Sequence, residues 1–123
     1  MKSTLIKDEI VKAYTYYDNQ DIEEVCFENA FFVGPSAFAN SSIKDAKFGF
    51  DITRISHGAF ADCKSLTDVW FAIIDVNKII EIADDAFRGC EQPITFHIFA
   101  SALKHKYLND YAKKHGFRVM GMI

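Results

Sequence analysis

Val33-Gly-Pro-Ser-Ala-Phe-Ala-Asn-Ser41, Ile55-Ser-His-Gly-Ala-Phe-Ala-Asp-Cys63 and Ile82-Ala-Asp-Asp-Ala-Phe-Arg-Gly-Cys90 are one pattern written three times. Ala-Phe stands at the centre of each copy, at Ala37-Phe38, Ala59-Phe60 and Ala86-Phe87, with spacings of 22 and 27 residues. A β-branched residue precedes each Ala by four positions, and Ser41, Cys63 or Cys90 follows it by four. Agreement at several fixed offsets marks an internal repeat. A unit this short cannot bury its own apolar edge, so neighbouring units must stack.

Working outward, each copy is joined to an apolar-x-x-apolar-x-apolar segment. Leu66, Val69 and Phe71 obey it, as do Ile43, Ala46 and Phe48, and Ile22, Val25 and Phe27. A looser fit runs through Pro93, Phe96 and Ile98, with Ile94 in phase with the last two. The period-2 tail predicts a short strand with one buried face. The Ala-Phe segment then closes the coil from the other side as a 3₁₀ or single α turn. Ala permits close approach, Phe fills the space between layers, and Ser or Cys is small enough to stack on its equivalent.

The flanks read as caps. Residues 3–17 place Leu5, Ile6, Ile10, Ala13, Tyr14 and Tyr17 on or near one face of a helix, with Ser3 or Thr4 as N-cap. Residues 101–115 carry a second apolar stripe, Leu103, Tyr107, Leu108, Tyr111 and Ala112, ending at a left-handed Gly116 before a final strand from Phe117. Ala72 to Glu81 is an enlarged connection within the stack. The predicted fold is an α+β solenoid of three to four irregular leucine-rich-type repeats with helical caps at both ends. It forms one domain over 1–123, with an N-terminal capping helix in 1–20, repeats in 21–100 and a C-terminal helix and strand in 101–123.

Composition bounds the function. The chain has twelve Phe residues in 123, so rings fill the core. A formal charge of -3 argues against a nucleic-acid binder, whose footprint is basic. Lys7, Asp8 and Glu9 interrupt any apolar run near the start, so no secretory signal is read, and no apolar run is long enough to span a membrane. Cys26, Cys63 and Cys90, an odd number without a CxxC, point to reduced thiols and a cytoplasmic protein. His57, His97, His105 and His115 have no zinc-ligand spacing with them, so neither metal nor cofactor is expected.

Ile-x-x-x-Ala-Phe-x-x-Cys-x-x-Leu-x-x-Val resembles the repeat of the BspA-like leucine-rich repeat family. Residues 55–71 match it most fully, through Ile55, Ala59, Phe60, Cys63, Leu66, Val69 and Phe71. Tyr111-Ala-Lys-Lys-His-Gly-Phe117 is similar to the helix-and-strand ending of such proteins. The resemblance covers roughly residues 20–120 and implies the stacked fold, with no catalytic residues to carry over. The Pro that usually follows the strand is absent, and the secreted adhesion role of longer members is not carried over.

No GxSxG, Walker loop or HExxH is present, so no enzyme is expected. Asp84-Asp85 reads as turn capping, Lys104-His105-Lys106 as a solvated helix face and His57 as an exposed turn residue. The strand register gives the candidate site. With Val25, Phe27 and their equivalents inward, their neighbours stack outward in rows. One row is Glu24, Asp45, Asp68 and Thr95; the next is Cys26, Lys47, Trp70 and His97; the third is Glu28, Gly49, Ala72 and Phe99. An outward Trp beside carboxylates suits a protein-binding face. Its candidate residues are Trp70, Asp68, Asp45, Glu24, Lys47, His97, Phe99 and Glu28. Carboxylates repeated across strands repel one another and favour a partner with a basic surface.

The leading expectation is a non-enzymatic protein–protein interaction module, monomeric or weakly dimeric, binding neither nucleic acid nor membrane. The alternatives are a small acidic inhibitor of phage or mobile-element origin (anti-CRISPR-like), blocking a nucleic-acid-binding complex, and a structural repeat fragment. On a competing view, Trp70 and Phe99 are covered by the protein's own helices or by a second copy.

Overall fold

The computed structural model describes residues 2–122. Two parallel sheets form the walls of the stack. The larger holds β1 (Ser3–Ile6), β3 (Glu24–Phe27), β5 (Asp45–Phe48), β7 (Asp68–Phe71), β9 (Thr95–Phe99) and β10 (Arg118–Met122), in that order. The smaller holds β2 (Ile10–Val11), β4 (Phe32–Val33), β6 (Arg54–Ile55) and β8 (Glu81–Ile82), also in order. Four coils thus carry a strand in each sheet. The sequence pattern does not predict this second sheet; the β-branched residue opening each repeat copy ends one of its strands.

Between the sheets lies the core. Val25, Ala46, Val69 and Phe96 pair in register and are fully buried, as the period-2 pattern requires. Phe38, Phe60 and Phe87 stack face to face, with ring centroids 5.2 and 5.5 Å apart and planes within 7° of parallel. Each buried ring stabilises the stack by about 1.5–3 kcal/mol through area alone. In the third copy Ile94 is buried and Pro93 exposed, so Ile94 fills the place assigned to Pro93.

The Ala-Phe segment is neither a 3₁₀ nor an α turn but a run of tight turns shared between coils. Ala37, Ala39 and Ser41 donate back to the carbonyls of Gly34, Ser36 and Phe38. The alternate groups, on Ser36, Phe38 and Asn40, donate to His57, Ala59 and Ala61 of the next coil at 2.8–2.9 Å. Left-handed residues, Ser36 (φ 54°) and Asn40 (φ 58°), swing those N–H groups along the stack axis. Asp18, Asn40, Asp62 and Gly89 form a column of such positions, filled by the residue types that tolerate them. Coil closure and coil stacking use the same backbone groups. Cys63 and Cys90 add thiol bonds to the carbonyls of Phe38 and Phe60 in the preceding coil, at 3.1 and 3.2 Å.

The expected N-terminal capping helix is absent. Residues 3–17 make β1, β2 and another shared turn, with β1 pairing β3 from Ser3 opposite Glu24 to Ile6 opposite Phe27. Tyr16 takes the Phe position and stacks on Phe38 at 5.0 Å. Leu5 and Tyr14, members of the supposed apolar stripe, are 57 % and 62 % exposed. Backbone pairing with a ready-made strand edge outweighs the helical period of a short segment, since isolated helices of this length are marginal.

At the other end the helix is real but shorter than 101–115. A one-turn 3₁₀ segment (Ala100–Ala102) precedes α1 (Lys106–His115). His105 is the N-cap, buried, its Nδ1 accepting from the Leu108 N–H while Nε2 lies 2.6 Å from the Lys78 carbonyl. The solvated reading of Lys104-His105-Lys106 therefore fails at its middle residue. Gly116 ends α1 at φ 73°, and β10 closes the larger sheet. The hydroxyl of Tyr107 takes up both backbone groups of Ile82, and Tyr111 donates to the Ala83 carbonyl. The helix thereby seals the edge of the smaller sheet. The 72–80 connection stays within the stack, anchored by buried Ile73 and Ile80 at its two ends.

Candidate protein-binding face

Along β3, β5, β7 and β9, half-buried residues alternate with the core positions and form the first two outward rows. Glu24 pairs Asp45, Asp45 pairs Asp68, and Asp68 pairs Thr95. Cys26, Lys47, Trp70 and His97 form the second row in the same register. Leu5 extends this row at one end and Met120 at the other. Phe99 continues the third row to Met122, while Glu28 lies just beyond β3 and is exposed. The eight candidate residues therefore share one surface.

Chemically the rows are not independent. Each carboxylate of the first row is engaged by the second-row residue of the next coil. Lys47 Nζ lies 3.5 Å from Glu24 Oε1, Trp70 Nε1 donates to Asp45 Oδ1 at 3.2 Å, and His97 Nε2 lies 2.6 Å from Asp68 Oδ1. This diagonal ladder removes much of the repulsion expected of stacked carboxylates. Ser3 also donates to Glu24.

Trp70 is the centre of the ladder. Its ring stacks on His97 with centroids 3.6 Å apart and planes 10° from parallel, and the Lys47 ammonium sits 5.7 Å from its centroid on the neighbouring strand. Its indole N–H is fixed by Asp45, so the ring is a rigid platform. Asp68 is held equally firmly. Burial pushes its carboxyl up, but hydrogen bonds from Thr67 (2.6 Å) and His97 outweigh that and hold it below the usual carboxylate range. Burial and the neighbouring Glu24 charge push the Cys26 thiol up, which leaves it a poor nucleophile.

The remaining sequence candidates scatter. Asp85 accepts from the Gly58 N–H and contacts His57, which is the capping role read from the sequence. Asp84 pairs with Lys114, which lowers its pKa, and His57 is exposed. Among the described residues no three His, Cys, Asp or Glu side chains converge as a metal site. No helix among the described residues is long and apolar enough to cross a membrane. The rows follow from the strand period, but the ladder between them does not. The signal was present: Lys47, Trp70 and His97 each follow an acidic position of the preceding coil, one row over.

A family model for the BspA type leucine rich repeat region matches residues 3–112 in six copies. No curated protein and no solved structure matches the chain.

Proposed function

The chain belongs to the BspA-type leucine rich repeat family, and we propose that it is a non-enzymatic module that binds another protein through the outer face of its larger sheet. Repeats of this family typically mediate protein–protein interaction and are not generally enzymes. The finer reading, which face and which residues, rests on one observation: the immobilised Trp70–His97 stack at the centre of a broad parallel sheet. A rigid aromatic loses little conformational entropy on docking, and Trp is the residue most enriched where binding energy concentrates. Phe99 and the exposed Met120 extend the apolar centre, and Glu24, Lys47 and Asp45 give it a polar rim.

A basic partner is supported less by the acidic row than by Glu28, because the row is already engaged by Lys47, Trp70 and His97. The same fact weakens the rival reading, an acidic inhibitor that imitates nucleic acid. Affinity capture from the native host tests the proposal, with wild type beside Trp70→Ala and Met120→Lys. One captured protein lost with both variants, at unchanged circular dichroism, is the expected result. Full retention by both sinks the face.

A further inference from the structure

We infer that the loop edge of the stack is a docking strip for a basic amphipathic segment of another protein. This rests on the reading of the chain as a binding module but, Glu28 apart, uses different residues. Loops 7–9, 28–31, 49–53 and 72–80 leave the larger sheet on one side and lie over one another. The Phe31 N–H donates to the Glu9 carbonyl, Thr53 to Phe31, and Glu81 to Thr53, at 2.8–2.9 Å. These loops carry Phe50, Ile74 and Ile79, which are 63 %, 59 % and 80 % exposed, with Phe31 and Val76 beside them. Single exposed apolar residues need no explanation, but a run along one edge of a small domain does.

The charges on this edge differ from those on the strand face. Asp8, Glu9, Glu28, Asp51 and Asp75 lie on the same series of loops, and among the described residues none forms an ion pair. Lys7, Lys12, Arg54 and Lys78 stand within three residues of them in the chain, and Arg54 is already paired with Glu81. Unpaired carboxylates beside exposed rings and aliphatics are complementary to a segment carrying lysine or arginine on one side and apolar residues on the other. They repel anionic lipid and nucleic acid. An open notch of about 260 Å³, lined by Val76, Ile79, Ile80 and Tyr107 together with Lys78 and Lys106, is large enough to take one apolar side chain of such a segment, whose cations would lie toward the carboxylates instead. Glu28 and Ala72 belong also to the third outward row, so the strip borders the strand face and a single partner can span both.

A fluorescent amphipathic peptide of leucine and lysine in helical repeat is the probe, with a glutamate-for-lysine counterpart and phosphatidylserine vesicles as the other arms. Wild type is expected to bind the lysine peptide, with affinity falling as salt rises, and to bind the glutamate peptide at least about tenfold more weakly. Ile79→Ser and Phe50→Ser, both at largely exposed positions, should each weaken binding several-fold without changing the melting curve. Glu28→Lys with Asp51→Lys should weaken it and flatten the salt dependence. Trp70→Ala should leave this affinity unchanged, so failure of the strand-face reading and failure of this one are separable. Equal binding of the two peptides overturns the inference. So does capture of the vesicles in place of the peptide, an affinity untouched by Ile79→Ser and Phe50→Ser together, or a loss with Trp70→Ala as large as with Ile79→Ser.

Discussion

Replacing Phe60 by alanine should be the most damaging single truncation in the ring column. Phe60 is fully buried, stacked on Phe38 at 5.2 Å and Phe87 at 5.5 Å, with the edge of Phe48 at 6.2 Å. Removing a buried Phe costs about 3–5 kcal/mol through lost transfer and a cavity. Two stacked neighbours, each worth about 0.5–1.5 kcal/mol beyond area, push this case to the upper end. A domain of this size has only about 6–18 kcal/mol in total. Tyr16, at the end of the same column, is half-buried and stacks on Phe38 alone in the column, so Tyr16→Ala should cost about half as much. Urea unfolding followed by circular dichroism, with linear extrapolation, measures both. In a stack whose coils meet only their neighbours, the central break should also broaden the transition or split it in two. A cost for Phe60→Ala below about 1.5 kcal/mol, or one no larger than that for Tyr16→Ala, would refute the column as the source of stability.

Three further outcomes follow from the structure. Asp68 has a lowered carboxyl pKa, so it contributes stability above the unfolded value that is lost as pH falls below about 4. Thr67→Val should therefore make acid unfolding less steep in that window, and an unchanged profile would count against the Thr67 bond. Burial pushes the Cys90 thiol up to about 12 and raises that of Cys63, so iodoacetamide at mild alkaline pH should modify them only after urea is added; rapid labelling of the native protein at either would contradict the packing. Gly89→Ala should destabilise by about 1–2 kcal/mol, because φ is 78° there and an added Cβ would collide with the Asp62 carboxylate. Asp62→Gly in the same background should recover part of the loss in thermal melts.

The repeat was legible because its most restrictive positions are its least variable in kind: small Ala, a ring, then a small polar side chain. What escaped was the copy that breaks the spelling. Val11-Lys-Ala-Tyr-Thr-Tyr-Tyr-Asp-Asn19 stands 22 residues before the Val33 copy, with Thr15-Tyr16 in place of Ala-Phe. Its apolar residues also satisfy a helical period, which is the pattern expected there from sequence alone. The spacing was the better guide, since it places Tyr16 over Phe38 and Val11 beside Val33. The second sheet was hidden for a different reason: a two-residue strand has no period to read. His105 was hidden by its lysine neighbours, which are exposed while it is buried under the 72–80 loop.

Charge was the least legible property, and the geometry of stacking explains why. Register brings like positions of successive coils together, so a repeated acid reads as a repulsive column. Side chains lean along the strand and across to the next coil, however, so the effective partner of each acid is the second-row residue of the coil that follows. Glu24, Asp45 and Asp68 therefore meet Lys47, Trp70 and His97, which are donors of three different kinds. A donor there need only satisfy an acid and cover the sheet, so the residue type is free to vary while the bond is kept. Carboxylates that lie in loops, outside the paired ladder, have no such neighbour delivered by the register. Asp51 and Asp75 are of that kind, and they stand among the most exposed apolar residues of the chain. In a stack built this way, the charge available to a partner lies where the strand ladder stops.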